Sequence, residues 1–151
     1  GWQDKIPRRA RRPIVENIRE AAVVVWRAKR VLLVRKKDGE RWAGLWDFPR
    51  FRMQATDPAA LENDAVHELR AMTGIVVRPR RLVAVWKHGV TKYRITLSCH
   101  EADYVRGPRH LNDEMLAWVS LGELERYPLP RTGRRLCRLL QTEAHDASPR
   151  A

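Results

Sequence analysis

The stretch Asp57-Pro-Ala-Ala-Leu-Glu-Asn-Asp-Ala-Val-His-Glu-Leu-Arg-Ala-Met-Thr-Gly-Ile75 predicts one amphipathic helix in the middle of the chain. Asp57 is a favourable N-cap residue, and Pro58 occupies the first helical position, where a backbone N–H would have no helical partner. Gly74 is expected to end the helix. Apolar residues recur at helical spacing and predict the face that packs on the core: Leu61, Ala65, Leu69 and Met72.

Short apolar and β-branched runs on either side of this helix predict β-strands. The predicted elements are strands at residues 21–26, 31–34, 81–86, 93–99 and 115–119 and a closing helix at residues 131–140. The first two strands are separated by a polar turn and predict a hairpin. The next two predict a second hairpin with a longer loop at residues 87–92. Elements in this order indicate an α+β fold, in which a mixed β-sheet is sandwiched by helices.

The chain of 151 residues is long enough for one domain with a proper core. Residues 1–18 are predicted to be a basic flexible linker, residues 19–141 the domain, and residues 142–151 a disordered tail. No stretch approaches the roughly 18 apolar residues of a membrane span, so we expect a soluble, cytoplasmic, monomeric protein without a membrane partner. Cys99 and Cys137 are expected to be buried thiols in a reducing compartment.

The charge balance of the chain is strongly basic. Thirty lysines and arginines against eighteen acidic residues give a net charge of +12, and such an excess attracts polyanions. The excess is concentrated in residues 7–13, 78–81 and 131–135. Charge runs are often only solvated, so the composition leaves two interpretations open, a phosphate-binding surface and a solvated one.

Two carboxylates, Asp64 and Glu68, lie one turn apart on the predicted central helix. Mg²⁺ prefers oxygen ligands, and a helix presents side chains three and four residues apart on one face. Acidic pairs at this spacing also occur on any solvated helix. The pair therefore predicts either a weak metal site or a solvated face.

The same helix resembles the Nudix box, a carboxylate-rich helix that ends in Glu-x-Gly and a hydrophobic residue. Glu68 occupies the position of the glutamate that follows the arginine of the box, and His67 replaces that arginine. Ala71 and Met72 replace the terminal pair of glutamates, and neither can ligate a hard cation. The resemblance implies a Nudix-like fold that has moved away from hydrolysis and towards binding.

Further segments resemble the C-terminal domain of the adenine DNA glycosylase (MutY) family. They are Gly44-Leu-Trp-Asp-Phe-Pro49, His88-Gly-Val-Thr-Lys-Tyr93, Trp118-Val-Ser-Leu-Gly-Glu-Leu124 and Pro128-Leu-Pro130. That domain is a non-hydrolytic Nudix relative that checks for 8-oxoguanine opposite adenine, while a separate N-terminal domain with an iron–sulfur cluster excises the adenine. The resemblance implies a nucleoid-associated DNA-repair protein. Its implied partners are double-stranded DNA and a glycosylase catalytic domain.

The resemblance also implies which residues contact DNA. The recognition loop of the family falls on Val90, Thr91 and Lys92, where the hydroxyl of Thr91 would hydrogen-bond the oxidised base, and His88 lies beside it. Trp42 is a candidate for base stacking. Basic residues of the linker are expected to hold phosphates: Arg8, Arg9, Arg11 and Arg12.

A second hypothesis is a Nudix-type hydrolase of nucleoside diphosphate derivatives with an eroded metal site. Its Mg²⁺ ligands would be Asp64 and Glu68, joined by Glu62. Under the first hypothesis the chain itself has no catalytic residue and no cofactor, because the iron–sulfur cluster belongs to the separate catalytic domain. A third hypothesis is a degenerate Nudix domain that senses a nucleotide or binds another protein.

Overall fold

The computed structural model describes residues 15–35, 44–54, 57–108 and 115–147. Within these ranges the chain forms a seven-stranded mixed sheet with helices on its two faces. The strands are β1 (Glu16–Arg27), β2 (Arg30–Arg35), β3 (Trp46–Asp47), β4 (Arg50–Met53), β5 (Val76–Val90), β6 (Tyr93–Arg106) and β7 (Leu116–Ser120), and the helices are α1 (Pro58–Thr73), a 3₁₀ helix (Leu121–Arg126) and α2 (Arg131–Ala147). The predicted α+β fold class is confirmed. No helix among the described residues is long and apolar enough to cross a membrane.

Strand β1 lies at the centre of the sheet. It pairs antiparallel with β2 and β4 along one edge and parallel with β6 along the other. The run of residues 21–25 is buried, and alternation of side chains divides it between two clusters. Ala21, Val23 and Val25 belong to the cluster beneath α1, whereas Ala22 and Val24 belong to the cluster beneath α2. Both faces of β1 are therefore covered, which explains its continuous apolar sequence.

Helix α1 begins and ends at the predicted residues. The Asp57 side chain accepts a hydrogen bond from the Ala60 amide at 3.3 Å. At the other end, Gly74 has a φ of +78°, and its N–H donates to the carbonyl of Arg70 at 2.7 Å. Both caps satisfy backbone groups that the helix leaves unpaired.

The buried stripe of α1 differs from the prediction at its last member. Leu61, Ala65 and Leu69 are buried as expected, but Met72 is 47% exposed. Thr73 continues the spacing of four and is buried instead, with its hydroxyl donating to the carbonyl of Leu69 at 2.7 Å. The prediction was wrong because an apolar residue was favoured over a threonine whose hydroxyl bonds within its own helix.

The β5–β6 hairpin is longer than predicted. Pairing runs up to Val90 and Tyr93 and leaves only Thr91 and Lys92 for the turn, so the predicted loop at residues 87–92 is wrong. Backbone pairing, which needs no apolar pattern, holds these polar residues in the sheet. The turn of this hairpin also contacts the first residue of β1, because the amide of Glu16 donates to the Lys92 carbonyl at 3.0 Å.

Helix α2 covers the second face of the sheet with Leu136, Cys137 and Leu140. It begins at the predicted residue but continues to Ala147, beyond the expected end at residue 140. Polar contacts hold the additional turns: Gln141 donates to the Leu121 carbonyl at 2.7 Å, and Glu143 accepts from Arg81 at 2.8 Å. The spacing of apolar residues in the sequence does not predict polar contacts of this kind.

Asp47, at the end of β3, is buried beneath the first turn of α2. Its Oδ1 accepts a hydrogen bond from the Phe48 amide at 2.9 Å. A Cβ atom on Gly133 would lie 2.6 Å from this same oxygen. A carboxylate is favourable near a helix N-terminus. The sheet and α2 can approach each other this closely because residue 133 lacks a side chain.

We expect Gly133→Ala to lower the free energy of unfolding by about 1–3 kcal/mol through overpacking, although alanine is ordinarily the better helix former. Gly122→Ala is a matched control, because nothing lies within 4 Å of the Cβ position there. Denaturant titrations of both variants measure the difference. Equal stabilities would contradict the close approach of Asp47 to α2.

Candidate functional site

A basic cleft lies where the first residues of β1 and β6 meet the last residues of β4 and β5. It encloses about 450 Å³. Arg19, Thr96 and Lys87 are paired across β1, β6 and β5, so their side chains leave the same face of the sheet. The cleft has three cations on this face, Arg19, Lys87 and Arg94, whereas its fourth, Arg52, is paired with Glu20 in the sheet and so leaves the opposite face. None of the described lining residues is acidic.

The cations of this cleft are largely available to a ligand. Arg52 forms a salt bridge with Glu16 at 3.3 Å. Both side chains are more than half exposed, so this salt bridge is weak. Within the described part of the chain, no salt bridge joins Arg19, Lys87 or Arg94 to a carboxylate. A concave group of arginine and lysine side chains suits an anion such as a phosphate.

A smaller cavity of about 160 Å³ adjoins the cleft and shares Arg19 and Thr96 with it. It lies between Leu61 of α1 and the β5–β6 hairpin. Leu82 and Val85 flank it, and these apolar side chains are 46% and 50% exposed. The two cavities together therefore offer a charged end and an apolar end on one face of the sheet.

His100 and Ser98 form the polar part of the smaller cavity. His100 is only 6% exposed, and its Nε2 lies 3.0 Å from the Ser98 hydroxyl. Its Nδ1 has no hydrogen-bond partner among the described residues. Burial lowers the pKa of His100, and the more weakly acting charge of Glu62 opposes that change. The ring is therefore neutral at pH 7.

Three acidic residues of α1, Asp64, Glu68 and Glu62, are the candidate Mg²⁺ ligands of the second hypothesis. Asp64 and Glu68 are exposed, Glu62 is half-buried, and the two positions that would add oxygen ligands hold Ala71 and Met72. In the described ranges no three His, Cys, Asp or Glu side chains are close enough together to hold a metal ion. Two exposed carboxylates fall short of the ligation that Mg²⁺ prefers.

Three of the nine residues predicted to contact DNA have described side chains, and all three lie at the end of the β5–β6 hairpin. His88 lies on the α2 side of the sheet, where its Nε2 is 3.4 Å from Arg50 Nη2. Thr91 and Lys92 form the hairpin turn, with Thr91 at a φ of +51°. The side chain of Val90 lies outside the described residues, as do five other predicted contacts: Trp42, Arg8, Arg9, Arg11 and Arg12.

The polar residues of β6 that line the two cavities were not predicted from the sequence. Arg94, Thr96, Ser98 and His100 alternate along β6 with buried apolar residues. This period of two was available in the sequence and predicts one polar face on a strand. Only the sheet register shows that Arg19 and Lys87 join the same row.

Neither cysteine serves as a nucleophile. Cys99 and Cys137 are buried free thiols, as predicted. Burial raises the pKa of Cys99 to about 12 and that of Cys137 to about 11. Both remain protonated at neutral pH, where a thiolate would be needed for attack.

Comparison with known proteins gives consistent matches to one fold. The family model of the NUDIX domain matches residues 21–139. The solution structure of the E. coli ORF135 protein has a TM-score of 0.72 and 24% identity, over 91% of this chain and 96% of that chain. The MutT NUDIX hydrolase from Burkholderia pseudomallei has a TM-score of 0.69 and 21% identity, over 83% and 98%. An ADP-ribose pyrophosphatase from Streptococcus suis 89-1591 has a TM-score of 0.61 and 20% identity, over 88% and 94%. No curated protein matches the chain.

These matches overturn the prediction of a lesion-recognising DNA-binding domain from an adenine glycosylase. The NUDIX domain match spans most of the chain, and the matched structures include a MutT hydrolase and a pyrophosphatase. The Nudix-like fold predicted from the central helix is confirmed. The hypothesis of a hydrolase with an eroded metal site agrees better with these findings than the glycosylase hypothesis does.

Two histidines with lowered pKa values, the half-buried His88 and the buried His100, make stability depend on pH. Burial is the main cause that lowers the pKa of His88 as well as that of His100, and Arg50 lowers the pKa of His88 further. A histidine whose pKa is lower in the folded chain binds its proton more readily when unfolded. Its contribution is therefore complete above the unfolded value near 6.5 and is lost as the pH falls through the folded value.

We expect the free energy of unfolding to fall as the pH is lowered from about 7 to about 5. Replacing His100 by phenylalanine should make this fall less steep, since one of the two titrating groups is removed. Urea titrations at several pH values measure both slopes. Parallel slopes for the variant and the unmodified protein would show that His100 does not titrate in this way.

Proposed function

Since the chain belongs to the NUDIX domain family, we propose that it acts on nucleoside diphosphate derivatives and has an eroded metal site. The observation that carries this proposal is the basic cleft, where Arg19, Lys87 and Arg94 leave one face of the sheet and none of the described lining residues is acidic. A cleft of about 450 Å³ lies within the roughly 300–1,000 Å³ that small-molecule sites occupy.

The diphosphate of such a ligand would lie among Arg19, Lys87 and Arg94. These side chains neutralise the phosphate charge and orient the group through charge-assisted hydrogen bonds. Thr96 lies between the two cavities and offers a hydroxyl at their junction. The nucleoside end of the ligand would then point towards the apolar cavity beside Leu82 and Val85.

We further propose that binding is more effective than hydrolysis in this chain. The cleft residues hold and neutralise the diphosphate without any contribution from α1. Asp64 and Glu68 are exposed, and the two further carboxylates of the Nudix box are replaced here by Ala71 and Met72. Turnover with Mg²⁺ is therefore expected to be slow.

Arg94→Ala should weaken the binding of ADP-ribose by roughly three- to tenfold, because one exposed charge-assisted contact to phosphate is removed. Isothermal titration calorimetry measures this change. Arg106→Ala is the matched control, since it removes an exposed arginine from the other end of the same strand. If both variants lose affinity equally, only the overall charge attracts the ligand and the cleft does not hold it.

The double substitution Ala71→Glu and Met72→Glu should raise Mg²⁺-dependent hydrolysis of ADP-ribose by roughly tenfold or more. Both positions are exposed, so the core tolerates the change. Released phosphate, measured after phosphatase treatment, reports the rate, and Mg²⁺ should also raise the thermal midpoint of this variant.

Ala59→Glu with Asn63→Glu provides the control for added charge, because these two positions are exposed on the same helix. This control should leave hydrolysis unchanged. An equal increase in both double variants, or none in either, would contradict the assignment of the eroded metal site to positions 71 and 72.

A further inference from the structure

Strand β5 forms one edge of the sheet. It pairs with β6 on one side, and no other strand in the described part of the chain pairs with its second side. None of residues 81–89 is buried. The backbone N–H and C=O groups on the second side form a row that an added strand can pair with.

The features that protect an edge strand are confined to the first half of β5. Pro79 has no N–H to donate, and the register with β6 shifts at residues 76/77, 79/81 and 82/84. From Ala84 to Val90 the pairing with β6 is regular. This regular half has one charged side chain, Lys87, as its protection.

The hairpin turn determines which backbone groups of this half point outwards. The turn has two residues, so Val90 and Tyr93 form the hydrogen-bonded pair that closes it. Hydrogen-bonded and non-hydrogen-bonded pairs alternate along an antiparallel ladder. The residues that direct their N–H and C=O groups to the open edge are therefore Val85, Lys87 and Gly89.

Cations lie beside the open edge on both faces of the sheet. Lys87 is paired with Thr96 and points to the face with the basic cleft. On the other face Arg135 is exposed, and its guanidinium carbon lies 4.2 Å from the ring centroid of Trp86. Among the described residues neither cation forms a salt bridge. Strand β5 itself contains no acidic residue.

The charge of this edge decides between two occupants. A second copy of the chain would bring another Lys87 and a further net charge of +12, and like charges on paired strands are destabilising. An acidic strand would instead meet Lys87 on one face and Arg135 on the other. Its apolar side chains would cover Val85, which is 50% exposed.

We propose that β5 binds an extended acidic segment of another protein, which adds to the sheet along Ala84 to Val90. Main-chain hydrogen bonds supply the affinity, and the side chains on the two faces of the added strand supply the specificity. This interaction surface is separate from the proposed function, because the diphosphate is held by side chains and the added strand by the backbone of β5.

The test measures fluorescence anisotropy with the full chain and two labelled heptapeptides of alternating glutamate and valine. In the second peptide every internal amide is N-methylated, so it keeps the charge and loses the N–H donors. The unmodified protein should bind the first peptide more tightly by roughly tenfold or more, the scale of one or more lost hydrogen bonds. Equal binding would show attraction by charge alone and would overturn the proposal, as would no binding of either peptide.

Gly89→Pro removes one outward N–H from the open edge and leaves the pairing with β6 intact. Gly89→Ala is the matched control, because the nearest atom to a Cβ there is the Tyr93 carbonyl oxygen at 3.9 Å. The proline variant should bind the first peptide roughly three- to tenfold more weakly than the alanine variant. If the two variants bind alike, the added strand does not lie on this edge.

Sedimentation equilibrium tests the second occupant. The unmodified protein should sediment as a single chain. A dimer that Gly89→Pro dissociates and Gly89→Ala leaves intact would assign the edge to a second copy and overturn the proposal. Because the peptide comparison uses the unmodified protein, a variant that fails to fold does not affect it.

Discussion

The parallel pairing of β1 with β6 is the constraint on which the rest of the structure depends. It places β1 in the interior of the sheet, where one face is covered by the cluster beneath α1 and the other by the cluster beneath α2. The same register sets Arg19 beside Thr96 and Val23 beside His100. A slip of one residue would turn every β1 side chain to the opposite face. Packing and site geometry are therefore fixed by one set of backbone hydrogen bonds.

Two of the four segments that carried the resemblance to a glycosylase domain, residues 44–49 and 128–130, pack together. Phe48 is buried, Trp46 meets Tyr127 edge to face at 5.3 Å, and the amide of Trp46 donates to the Pro128 carbonyl at 2.9 Å. These residues join β3 to the segment before α2. Their order in the sequence therefore indicates the fold, and it carries no information on what the domain binds. This is why the fold was predicted correctly while the function was not.

Features determined by neighbouring residues were predictable, and features determined by register were not. The caps at Asp57 and Gly74 depend on local backbone geometry, and the sequence located both. One local feature was missed: Thr73 is buried in place of Met72, and its hydroxyl bonds inside the helix. The cleft depends on β1, β5 and β6 lying side by side, and residues distant in the chain meet there. The alternation of polar and apolar residues along β6 predicts one wall of the cleft. It does not predict which residues of β1 and β5 form the other walls.

The central strand also has a consequence for how the chain folds. Trp26 and Glu101, hydrogen-bonded across β1 and β6, are separated by 75 residues in the chain. During synthesis β1 can pair with β2 and β4 along one edge, while its other edge stays unpaired until β6 has been made. An unpaired strand edge with an apolar run can recruit other chains, and folds dominated by such distant contacts form slowly. The protein is thus most exposed to self-association in the interval before β6 leaves the ribosome.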